Sequence, residues 1–110
     1  ASPLLMAREA QCLAELERVG EALKVSAKGI ELYPEFTPLL TTRGRLLDRM
    51  NRPTDAVKAW SAAHELNPFD ASVQEALIAN HSALGNVRDA ERHRAILRIL
   101  QTGGAAAVSR

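Results

Sequence analysis

The sequence predicts an all-α fold: six helices in tandem antiparallel pairs, stacked side by side as an α-solenoid. Three observations carry this reading. The first is self-similarity at an interval of 34 residues. Ile30-Glu31-Leu32-Tyr33-Pro34 returns as His64-Glu65-Leu66-Asn67-Pro68, and the same shift brings Ala22 onto Ala56 and Ala90, and Leu32 onto Leu66 and Leu100. The second is apolar spacing at i, i+4 and i+7, the period of a helix with one buried face. The third is composition. Aromatic residues make up only 4% of the chain, and the plentiful Ala and Leu suit close helix packing better than pleated sheet.

Each helix has its own local signals. The first, near 3–17, opens with Ser2 as a hydroxyl cap and Pro3 in the first turn, and carries Met6, Ala10 and Leu13 on one face. The second, near 20–33, follows a turn that has Gly20 in or beside it and is stopped by Pro34. The third, near 37–50, repeats the first: Thr37 and Pro38 at its start, then Leu40, Gly44 and Leu47. The fourth, near 53–66, aligns Ala56, Trp60 and Ala63 and stops before Pro68. Asp70 is a cap for the fifth, near 70–84, whose face is Val73, Leu77 and Leu84. Gly85 marks the next turn. Asn86, with Asp89 three residues on, is the expected cap of the sixth, near 87–101. The repeat domain is thus 1–101, in units near 3–36, 37–70 and 71–101. The Gly103-Gly104 pair favours a break, and 102–110 reads as a flexible tail.

The 110 residues fit one domain, and a net charge of +1 is too small to argue for a nucleic-acid or membrane-surface role, so neither partner is expected. No apolar run is long enough to span a bilayer, and the start lacks the basic leader and long apolar stretch of a signal peptide. Cytoplasm is the favoured location, with periplasm left open, and the Ala- and Arg-rich style fits a bacterial origin. A start at Ala1 rather than Met fits a piece of a longer protein. The lone Cys12 has no histidine near it in sequence and reads as a small buried hydrophobe rather than a nucleophile. His64, His81 and His93 fall on three different helices without a paired i, i+4 ligand motif, so they read as scattered side chains and not as a metal site. Phosphate-binding loops and nucleophile elbows are missing, so neither a cofactor nor an enzymatic activity is expected.

The 34-residue pattern resembles the tetratricopeptide repeat family. The middle unit is most similar, with Leu40, Gly44, Leu47, Ala56, Trp60, Ala63 and Pro68 at the family's large, small and closing positions. The first unit departs at Ser26, where a large residue is usual, and at Gly29, which replaces Ala. The third has Ile78 at the small crossing position, Arg94 at the aromatic one, Leu97 in a small slot and Thr102 for the closing Pro. The resemblance implies a right-handed superhelix whose first helix in each unit lines a concave groove. Residues placed there are Gln11 and Glu15, then Thr41, Arg45, Asp48 and Arg49, then Glu75, Ala79 and Ser82.

That resemblance also implies a scaffold that binds a peptide or protein segment, with Gln11, Thr41, Arg45, Asp48, Arg49, Glu75 and Ser82 as candidate contacts. Arg45, Arg49 and Arg52 fall at i, i+4, i+7, a stripe suited to a carboxylate or acidic peptide, with a solvated face partnered by Asp48 and Glu75 as the plainer alternative. The carboxylate clamp of the family's co-chaperones is absent, since Ala7, Gln11, Arg45, Glu75 and Ala79 occupy its slots. Two alternatives stand beside the scaffold: the repeat segment of a larger enzyme, such as a sulfotransferase or glycosyltransferase, and self-association through the apolar end Ile96, Leu97, Ile99 and Leu100.

Overall fold

The computed structural model describes residues 2–103. Six helices follow one another: α1 (Pro3–Glu15), α2 (Val19–Leu32), α3 (Thr37–Arg49), α4 (Pro53–Leu66), α5 (Ala71–Ala83) and α6 (Val87–Arg98), the last running into a π-helical turn, Ile99–Gly103. There is no strand among the described residues. The described residues therefore form three antiparallel helix pairs, α1–α2, α3–α4 and α5–α6, each packed most tightly within itself and then onto the next. The stack measures 49 × 30 × 22 Å.

The turn inside each pair repeats with the sequence. Glu17, Asn51 and Gly85, spaced by 34, all take positive φ (63°, 55° and 76°). Behind them, the amides of Arg18, Arg52 and Asn86 donate to the carbonyls of Leu13, Leu47 and His81 at 2.8, 3.0 and 2.8 Å. This six-to-one bond with a left-handed residue before it closes the helix C-terminus and reverses the chain. Gly20, expected in or beside such a turn, lies beside it as the second residue of α2.

Capping follows the sequence at two starts and departs at two. Ser2 Oγ accepts from the Leu5 amide at 3.3 Å, and Asp70 Oδ1 accepts from the Ser72 amide at 3.0 Å. Thr37 does not cap α3: it lies inside the first turn, and Phe36 holds the cap position without a side-chain bond. Asn86 sits at the cap of α6 but turns its amide toward His81 Nδ1, 3.2 Å away, and Asp89 reaches toward Arg92 and His81 instead. The expected tail begins differently too. Thr102 and Gly103 belong to the π-helical turn, with Thr102 Oγ1 donating to the Arg98 carbonyl at 2.8 Å, and 104–110 lie outside the described residues.

Small residues set the helix spacing. A Cβ on Gly44 would stand 2.5 Å from Trp60 Cε2, so the indole lies directly on the α3 backbone. Gly29 likewise admits both methyls of Leu39, at 2.8 Å from where a Cβ would be. Leu40, Leu47, Ala56, Trp60, Ala63, Val73 and Leu77 join into the central core, continuous from the second unit into the third. Ala10, Ala14, Ala22 and Leu46 form its continuation into the first. Cys12 departs from expectation and is exposed on α1. Its repeat equivalents, Leu46 and Asn80, are covered by the preceding unit, and α1 has no unit on that side among the described residues.

Candidate binding cleft and a polar seam

The cleft between α1 and α3 has a volume of about 250 Å³ and is lined by Gln11, Ala14, Glu15, Thr42, Arg45, Leu46 and Arg49. Gln11, Arg45 and Arg49 of the candidate contacts meet there, with Glu15 beside them. Helical periodicity explains it: Gln11 and Glu15, and Arg45 and Arg49, are i, i+4 neighbours on facing helices.

The two arginines differ in what holds them. Arg49 is engaged with the first unit, donating to the Ala14 carbonyl at 3.1 Å and to Glu17 Oε2 at 3.3 Å. Arg45 is exposed, with its guanidinium carbon 6.0 Å from the Trp60 ring centroid, and has no hydrogen bond or ion pair within the described residues. An aromatic face beneath a guanidinium orients it without consuming its donors. Arg52 is not part of this stripe. α3 ends at Arg49, and Arg52 precedes α4, where it pairs with Asp55 at 2.6 Å.

The remaining candidates lie elsewhere. Thr41 is half-buried, and its hydroxyl donates to the Pro38 carbonyl at 3.2 Å, leaving Thr42 to face the cleft and accept from Gln11 Nε2 at 3.4 Å. Asp48 spans three helices: Oδ2 accepts from Trp60 Nε1 at 3.1 Å and Oδ1 from Asn80 Nδ2 at 2.9 Å. It is a structural bridge rather than a partner for the arginines, whose one acidic partner in the cleft region is Glu17. Glu75 is exposed on α5 away from the cleft, and Ser82 accepts from Arg94 at 3.3 Å.

The structure also gathers residues that look scattered in sequence. His93 stacks on His81, with centroids 5.7 Å apart and planes at 7°, and meets His64 edge-on at 5.2 Å. Gln74, fully buried, lies between them. The expectation of scattered histidines is therefore corrected: three helices bring them into one seam. The described residues contain no group of three His, Cys, Asp or Glu side chains arranged to hold a metal. The repeat register held the missed signal. Gln74, His81 and His93 stand where the second unit has Leu40, Leu47 and Ala59, all buried apolar residues. Polar groups at core positions of one unit must satisfy each other.

Three helix pairs of this kind, with a 34-residue period and a cleft along the first helices, define the tetratricopeptide-repeat fold. No family model matches the sequence, and no curated protein matches it. Solved structures do. The chain is similar to a mutant of MamA (TM-score 0.83, 18% identity, 93% of this chain and 56% of that one) and to MamA MSR-1 (0.80, 17%, 94% and 59%). It is also similar to YrrB, described as a TPR protein with an unusual peptide-binding site (0.80, 18%, 99% and 56%). The chain thus spans somewhat more than half the length of each.

Proposed function

We propose that this chain is a non-catalytic interaction module whose α1–α3 cleft holds an acidic segment of a partner protein, with a carboxylate against Arg45. The observation that carries the reading is Arg45 itself: an exposed guanidinium, oriented over Trp60, at the edge of a cleft and free of any internal anion. Gln11 offers an amide across the cleft, Leu46 and Ala14 an apolar floor, and Arg49 a second positive charge partly neutralised by Glu17. Glu15 on the opposite wall would repel a second carboxylate and so set the direction of the bound segment. The peptide-binding description of YrrB, a structure of the same fold, supports a peptide as the occupant.

Fluorescence anisotropy with labelled acidic peptides tests this. Arg45→Glu is expected to weaken binding by about 2–3 kcal/mol, the scale of a charge-assisted hydrogen bond lost and a repulsion gained, and Arg52→Glu to leave it unchanged. Equal affinities for wild type and Arg45→Glu would remove Arg45 from the site.

A further inference from the structure

The seam between α4, α5 and α6 is an organised polar structure in a place where the repeat calls for apolar residues. Its centre is Gln74. The Pro68 carbonyl, 3.1 Å from Gln74 Nε2, can only accept, which fixes the orientation of the amide. The other Nε2 hydrogen faces His64 Nδ1 at 2.7 Å, so that nitrogen is an acceptor. Oε1 then accepts from His93 Nδ1–H at 2.7 Å. One buried amide therefore ties α4, the loop after it, and α6 to α5, and it does so in a single protonation pattern.

We infer that this seam is an acid-sensitive latch, in which protonating His64 and His93, the two imidazoles hydrogen-bonded to Gln74, releases α6 while the α3–α4 pair stays packed. A second proton on His64 would go to Nδ1 and turn the acceptor into a donor against Gln74 Nε2–H. His93, only 2% exposed, has no room to hydrate a charge and faces two other imidazoles. The charged groups around the seam offset one another: Asp89 favours a proton on His93, while Arg92 beside it opposes one. From α4 come His64 and Glu65, with Glu65 on the surface cleft beside Arg92 and His93. From α5 comes His81, 3.9 Å from Asp89, and from α6 come Arg92 and Asp89, which pair with each other at 3.5 Å.

The titration of His93 runs the same way. Burial first, then the neighbouring His64, Arg92 and His81, lower its pKa from 6.5 to about 4. Between those values the released helix binds the proton more readily than the docked one. Docking is thus at full strength above about 6.5 and weakens as the pH falls toward about 4.

Hydrogen exchange of the whole chain, corrected for intrinsic rates, reads this directly. Between about pH 7 and about pH 4.5, protection of the α6 amides is expected to fall at least about tenfold more than that of α3. Gln74→Leu with His93→Ala restores the second unit's residues at this register and is expected to abolish the difference. Imidazole proton shifts of the wild type give a readout that needs no variant: His93 should stay neutral well below the ordinary histidine range and titrate together with loss of α6 protection. Equal loss in α3 and α6, or a His93 that titrates near 6.5 with α6 still protected, would overturn the latch.

Discussion

Gly44 is the residue on which the second unit turns. The indole of Trp60 occupies the space a side chain would take, and its Nε1–H reaches Asp48, so one absent methyl group permits both the close crossing and a partly buried polar bridge to α5 through Asn80. Gly44→Ala is expected to destabilise the fold by about 1–3 kcal/mol, because a ring that is 2% exposed cannot step aside. Gly20→Ala is the control. Its Cβ would meet nothing within 4 Å, and an alanine in the first turn of α2 is expected to stabilise by about 0.5–1 kcal/mol. Chemical denaturation of the two variants compares them. Matching shifts for both would mean that the Gly44–Trp60 crossing is not where the packing is tight.

At the scale of elements, the sequence made the helices and their order legible, because apolar period and proline punctuation act locally. Pro34 and Pro68 end α2 and α4 within two residues, and Pro3, Pro38 and Pro53 open α1, α3 and α4. The intra-pair turns were less legible, since the left-handed position holds Gly only once, at residue 85, and Asn51 and Glu17 at the other two. Backbone hydrogen bonding imposes the conformation there regardless of residue type. Glu17 tolerates the strain, and its carboxylate meets Arg49 across the cleft end. Glu17→Gly is expected to raise stability by about 0.5–1 kcal/mol, the relief of a left-handed side chain less the ion pair and the added freedom of the unfolded chain. A lower melting temperature for this variant would show that the Arg49 contact outweighs the backbone term.

Over the whole molecule, three pairs shelter one another's apolar faces and leave a cleft where the first helices of adjacent units meet. Helical spacing was enough to bring Gln11, Arg45 and Arg49 to the walls of one cleft, because a helix face is a property of the sequence. It could not tell Thr41 from Thr42, one residue and about 100° apart. Nor could it show that Asp48 is consumed by Trp60 and Asn80, or that His64, His81 and His93 converge, because such pairings depend on how separate helices dock. The apolar end of α6 is in part open: Ile99 is 64% exposed, while Ile96, Leu97 and Leu100 are half-buried. No helix of the described residues is long and apolar enough to cross a membrane.

We place recognition in the α1–α3 cleft. Titration of an acidic peptide into isotopically labelled protein, read as amide shift changes, examines it most directly. The largest changes are expected at Gln11 to Glu15 and Thr42 to Arg49, with α6 unmoved. Changes concentrated on α6, or a spectrum unaltered at millimolar peptide, would contradict it.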